Sequence, residues 1–284
     1  MPIAILESRA VVRIAGADAA HFLDNLLTAR TPAPGAARYG ALLTPQGKIV
    51  ADMIVVATEA GFRLDAPKAV VADLIKRLTL YRLRAKVEIG TLDDLAVAVA
   101  WGGASPVVDA LAYDDPRLPA LGRRFLLPAA EAAALGAAPE ADWQAHRIAL
   151  GIPEGAADFV YGDAFPHEAD MDQLGGIDFD KGCYVGQEIV SRMQHRGTAR
   201  TRIIPFAVCG PPPPEGTPIL AGDKTIGRVG SGVDGRLLAT IRLDRLEEAR
   251  LAGHAVTAGE EKLSVEPLPW ARFPIPGLSE GSAS

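Results

Sequence analysis

The sequence predicts an α+β chain in two parts: a body of mixed helices and strands over residues 1–200, built as two subdomains, and a small all-β domain over 201–278. Three observations lead there. Before residue 200, windows with apolar residues at helical spacing are interleaved with shorter windows that alternate as strands do. After Thr201 the texture changes to short extended pieces bounded by turn formers. The 284 residues, 49% of them hydrophobic, supply enough apolar surface for one large core or several small ones.

Asp18 reads as a helix N-cap, and Phe22, Leu23, Leu26 and Leu27 then fall on one face of a helix ending near Thr28. His21, with no partner histidine at i+4, reads as a surface or half-buried side chain. Residues 41–43 and 49–57 form two strands joined by Thr44-Pro45-Gln46-Gly47-Lys48, a hairpin. Phe62-Arg63-Leu64 is extended; Asp65 then reads as a cap and Pro67 as a first-turn residue, ahead of an apolar stripe at Val70, Val71, Leu74 and Leu78. Alternation from Leu83 to Ile89 predicts a half-exposed strand, and Lys76, Arg77, Arg82, Arg84 and Lys86 place five cations in eleven residues, read as a solvated face. Residues 95–101 form a continuous apolar strand, and 142–150 a helix that stops at Gly151-Ile152-Pro153. In the second part, 201–208, 225–233, 236–243 and 262–268 read as strands; Pro211 to Pro214 forms a stiff loop, and residues 279–284 a disordered tail.

A formal charge of −6 argues against a general polyanion binder, so direct nucleic-acid binding is not expected. The two cysteines, Cys183 and Cys209, lie too far apart for a C-x-x-C site and are too few for a zinc centre or a self-contained cluster. A reducing cytoplasm fits that usage. No apolar run approaches the ~20 residues that span a bilayer, so no membrane partner is expected, and Met1 to Ala15 lacks an apolar signal core. The five histidines show no metal spacing.

The chemistry concentrates in Lys181-Gly182-Cys183-Tyr184-Val185-Gly186-Gln187-Glu188, which sets a cysteine beside a lysine and ahead of a helix running from Gln187 to His195. The helix N-terminus and the ammonium both favour a thiolate at Cys183. The bland reading is an idle apolar cysteine. Glu188, Arg192 and Arg196 share one helix face, where Glu188 and Arg192 pair.

Three blocks align with one pattern: Gly16-Ala17-Asp18 with Phe22-Leu23 and Leu27-Thr28; the run Leu43 to Asp52; and Gly151-Ile152-Pro153 through Phe165-Pro166-His167-Glu168 to the cysteine motif and Arg192. On these residues the chain resembles the YgfZ branch of the folate-dependent aminomethyltransferase (glycine cleavage T protein) superfamily. The segment Gly227 to Ser231 resembles that family's C-terminal barrel. The resemblance implies a tetrahydrofolate-binding body around a central cavity, followed by a β-barrel. It also implies an accessory role in assembling or repairing iron-sulfur proteins, tRNA-modifying enzymes among them, with those proteins or their assembly machinery as partners.

Carried onto this sequence, Glu168 matches the carboxylate that grips the pterin's adjacent N–H groups, chemistry that suits bidentate acceptance. Residues alone leave a surface carboxylate equally open. Asp52 matches the second carboxylate of the aminomethyltransferase pair, whose first member is Ala51 here, and aminomethyl transfer is in doubt for that reason. Cys183 and Gln187 stand where aminomethyltransferases carry an acid and an arginine. Lys181 holds an anionic group or neutralises Asp178 and Asp180, and Tyr184 packs around the cavity. The site is therefore expected to comprise Cys183 and Asp52 as reactive groups, with Glu168, Lys181, Tyr184, Gln187 and Arg192 binding the folate. The rival is a true folate-dependent one-carbon transferase that uses Asp52 as its acid-base group.

Overall fold

A computed structural model describes residues 2–103, 110–135, 138–197 and 199–278. The tail expected at 279–284 lies outside them. The chain divides into two compact units, Met1–Gln144 with Leu174–Ser191, and Ala145–Gln173 with Arg192–Ser284.

The first unit holds two antiparallel sheets. Its strands are β1 (Ile3–Ile5), β2 (Arg9–Ala15), β3 (Ala37–Leu43), β4 (Ile49–Thr58), β5 (Gly61–Pro67), β6 (Glu88–Thr91), β7 (Leu95–Ala100), β8 (Leu111–Asp114) and β9 (Arg123–Pro128). Five order as β3-β4-β5-β2-β6 and four as β1-β7-β9-β8. Helices α1 (Ala19–Asp24) and α2 (Val71–Arg82) cover one face of the larger sheet, where Val12, Ile14, Met53, Val55, Leu64 and Ala66 meet Phe22, Leu23, Leu74 and Leu78.

Because strand side chains alternate, the intervening residues Arg9, Tyr39, Asp52 and Asp65 face the other way. All four are buried. On the smaller sheet Phe125 and Leu127 share a core with Ala98 and Ala100, so Arg124 is likewise turned to the opposite side. The short helix α3 (Ala129–Ala132) follows β9, and α4 (Glu140–Ala149) begins in this unit.

Helix α5 (Gln187–Arg196) starts in the first unit and ends in the second, where it leads into β10 (Thr201–Ala207), β11 (Pro218–Ala221), β12 (Lys224–Val233) and β13 (Arg236–Arg242). After α6 (Leu243–Leu251) come β14 (Val256–Ala258) and β15 (Glu261–Val265). The six strands close a barrel in the order β10-β13-β12-β11-β14-β15, filled by residues such as Phe206, Ile219, Leu237 and Ile241. Closure removes the unpaired edges that an open six-stranded sheet would present. Asp158 ties the preceding segment to the barrel: its carboxylate accepts from Arg147 Nη1, the Glu154 and Ser231 backbone N–H groups and the Ser231 hydroxyl.

Four local expectations change. Asp18 precedes α1 without capping it, because its carboxylate accepts the Lys86 backbone N–H. That helix also ends at Asp24 rather than near Thr28. Asp65 is not a cap: β5 runs on to Pro67, and the carboxylate is fully buried against arginines. Residues 83–87 are not strand; a turn intervenes and β6 starts at Glu88.

Candidate functional site

Two glycines bring the turn before α5 against the β3–β4 hairpin turn. Gly186 has φ +83° and Gly47 φ +80°, a region L-residues rarely adopt. A Cβ on Gly186 would sit 2.7 Å from the Thr44 carbonyl oxygen, and one on Gly47 would sit 2.9 Å from Ile189 Cβ. The β3–β4 hairpin turn and the start of α5 thus approach at backbone distance, and only glycine at both positions permits it. Cys183 lies on this turn and is exposed, with a free thiol, as is the distant Cys209.

Lys181 is spent differently from the sequence expectation. Its buried ammonium donates to the carbonyls of Leu27 at 2.7 Å and Ala29 at 3.1 Å, and lies 5.3 Å from the centre of the Tyr184 ring. Burial lowers its pKa, and Asp24 and Asp178 offset that only in part. The lysine fastens the cysteine turn to the loop after α1. Neighbouring bonds do the same: Thr28 Oγ1 donates to the Gly176 carbonyl and Arg30 pairs with Asp178 at 3.1 Å. Tyr184 is buried, and burial, then Asp178, pushes its phenol up to about 12. Gln187 opens α5 half-buried.

Asp52 sits on β4 and accepts a hydrogen bond from the Tyr39 hydroxyl at 3.1 Å. Burial, then the carboxylate itself, holds that phenol well above its ordinary range, so it remains a donor. The Arg117 guanidinium lies 5.6 Å over the Tyr39 ring and makes a two-pronged pair with Asp115. Arg124 links Asp115 to Asp65, which also takes Arg9 and the Tyr113 hydroxyl. Three guanidinium groups and three carboxylates thus share one buried layer joining the two sheets of this unit. Sequence reading missed the layer, because its members are spread from Arg9 to Arg124.

Glu168 and Arg192 belong to the second unit. Glu168 Oε2 accepts the Phe165 N–H at 2.9 Å while its own N–H donates to the Phe165 carbonyl, fixing the loop. The side chain lines a cavity of about 440 Å³ between that loop and the barrel strands, with Phe159, Thr201, Gly227 and Arg228 among the walls. Carboxylate and volume suit the hydrogen-bonding edge of a pterin. Beside it His167 is buried, its Nε2 3.1 Å from Gln194 Oε1, and burial lowers its pKa, favouring the neutral ring. Arg202 donates to the His167 carbonyl and to both oxygens of Asp172. Arg192 is on the exposed side of α5. Among the described residues, no group of three or more His, Cys, Asp or Glu side chains is arranged to hold a metal ion.

The architecture matches that of a crystal structure of the glycine cleavage system aminomethyltransferase T from Bartonella henselae, with a TM-score of 0.76 over 95% of this chain and 86% of that one. At 17% identity the likeness defines the fold. Residues 200–273 match the CAF17 C-terminal beta-barrel domain. The chain therefore has an aminomethyltransferase-like fold that ends in a C-terminal barrel. Among curated relatives, the mitochondrial iron-sulfur cluster assembly factor IBA57 of Homo sapiens is 34% identical over 262 residues, covering 80% of this chain and 73% of the relative. The IBA57 homolog of Neurospora crassa is 35% identical over 230 residues, covering 70% and 52%. The chain belongs to the IBA57 family of iron-sulfur cluster assembly factors. It spans little more than half the length of several fungal relatives that it matches.

The expected cytoplasmic location does not stand, since these relatives are mitochondrial by name. Two unpaired cysteines fit any reducing compartment and do not tell one from another.

Proposed function

We propose that this chain is a folate-binding accessory factor of the YgfZ type, serving the assembly or repair of iron-sulfur proteins, with Cys183 as the group that meets the cluster, a thiol or the partner protein. The exposed Cys183 thiol, on a turn that glycines and Lys181 hold in place, carries the reading. A single thiolate cannot hold a cluster alone, so any cluster is cargo whose other ligands come from outside. Glu168 is assigned to tetrahydrofolate through the cavity that it lines in the second unit, whose walls do not include Gln187 or Arg192. Bound folate would bring its reduced pterin and the one-carbon chemistry of its ring nitrogens; the chain's part is to grip the ring edge and present the thiol. Lys181 and Tyr184 act by holding the turn.

The rival, a tetrahydrofolate-dependent one-carbon transferase using Asp52, is supported by the fold but opposed by the site. Asp52 is 3% exposed and hydrogen-bonded to Tyr39, and its former partner position is the fully buried Ala51.

The test is complementation of cells lacking the native gene, read as the activity of a cluster-dependent enzyme. Cys183→Ala and Glu168→Ala are each expected to fail at normal protein levels, while Asp52→Asn succeeds. Full rescue by Cys183→Ala refutes the role of the thiol.

A further inference from the structure

Helix α2 ends in a turn that displays a leucine at a conformational cost. Leu83 has φ +46° and ψ −107°, and the Ala85 N–H closes the turn onto the Arg82 carbonyl at 2.8 Å. Those angles are the first central position of a type II′ turn, where glycine is the ordinary occupant. Nothing buried is gained in exchange, because Leu83 is 87% exposed, and Leu80, in the last turn of α2, is 67% exposed.

Cations surround the two leucines. Lys76 and Arg77 precede Leu80 by one helical turn, Arg84 follows Leu83 in the turn, and Arg82 and Lys86 flank that turn; all five are exposed. Among the described residues no salt bridge involves any of them, although the chain carries a net charge of −6. Of the acids beside this segment, Asp73 sits in the first turn of α2, Glu88 pairs with Arg13, and Asp18 accepts the Lys86 backbone N–H.

We propose that this end of α2 is a docking surface for an anionic lipid bilayer, with Leu80 and Leu83 entering the boundary between headgroups and acyl chains and the five cations lying against the headgroup phosphates. Two leucines are too little apolar area for the core of a stable protein interface, which needs roughly 800 Å² from each partner. A fluid boundary accepts them without shape complementarity, and basic residues beside an apolar tip are what attracts such a segment to negative lipid. RNA would use the cations and leave both leucines in water. No spanning segment is required: among the described residues no helix is long and apolar enough to cross a membrane, and attachment here is to one leaflet.

The test is flotation of the purified full chain with phosphatidylcholine vesicles, with and without phosphatidylglycerol, alongside an RNA oligonucleotide and sedimentation of the protein alone. Binding is expected only to the phosphatidylglycerol vesicles. Arg77→Glu with Arg84→Glu is expected to abolish it. Leu83→Gly should weaken it by about tenfold, from a buried leucine's transfer free energy of ~1.5 kcal/mol or more. Since glycine adopts this turn without strain, Leu83→Gly should also raise the melting temperature, which separates lost docking from misfolding. Absence of vesicle binding overturns the proposal. So does binding that Leu83→Gly leaves intact, equal or tighter binding to RNA, or a dimer that Leu83→Gly dissolves.

Discussion

Arg124 and Asp65 meet at 2.8 Å with 3% and 0% of their side chains exposed, and the same guanidinium reaches Asp115 through Nε at 2.9 Å. One arginine on β9 therefore bridges two buried carboxylates, each of which also holds an arginine of its own. Arg124→Met should destabilise the first unit by about 1–3 kcal/mol, less than a wholly unpaired buried charge costs, because Asp65 keeps Arg9 and Asp115 keeps Arg117. Arg124→Lys should recover only part of that, because an ammonium cannot make the forked contact. Denaturant melts of the three proteins check both.

The layer also sets a response to acid. Burial raises the pKa of Asp115, but Arg117 and then Arg124 pull it well below the usual carboxylate range; Asp65 is lowered against burial by Arg9 and Arg124. A carboxyl depressed in the folded chain contributes stability above its unfolded value near 4 and loses it as pH falls through the folded one. Melting temperature should therefore fall steadily as pH drops below about 4, and the fall should be shallower in Asp115→Asn, which begins from lower stability at neutral pH.

Asp170 behaves in the opposite sense. Burial holds its pKa well above the carboxylate range despite Arg202, and Oδ2 accepts the Ile203 N–H at 3.1 Å. Its contribution is complete below the unfolded value and is lost as pH rises through the raised folded one. Asp170→Asn, which keeps an acceptor for Ile203 without a charge, should cost under about 1 kcal/mol at neutral pH, whereas Asp115→Asn should cost about 3 kcal/mol. Parallel melts at neutral pH distinguish the two carboxylates.

At the cysteine turn, Gly186→Ala forces a methyl against the Thr44 carbonyl and a left-handed φ on a residue that resists it. A loss of at least about 1–2 kcal/mol follows from the backbone alone. The rate at which a thiol reagent modifies Cys183 should change with it, while that of Cys209, in the barrel unit, should not.

The elements with strong local periodicity were legible in the residues. The hairpin around Thr44-Pro45-Gln46-Gly47-Lys48, helix α5 and four barrel strands occur where patterning put them, because each is determined by neighbours along the chain. What local pattern misjudged was Asp65, whose Asp-x-Pro context imitates a helix start. Its true partners are 56 and 59 residues away in sequence, and nothing local advertises them. For Lys181 the residues offered its attraction to Asp178 but not its acceptors, which are carbonyls more than 150 residues distant that no side-chain motif records. The cysteine motif stands out from its own residues, a lysine beside the thiol and a helix start after it, whereas Glu168 is singled out only through resemblance.

Calorimetric titration of the full chain with tetrahydrofolate, wild type against Glu168→Ala and Glu168→Gln, tests the central claim most directly. The account predicts saturable binding by the wild type and a loss of about 1–3 kcal/mol in both variants, the scale of a deleted charged hydrogen-bond partner. No binding by the wild type, or equal binding by all three, would contradict it.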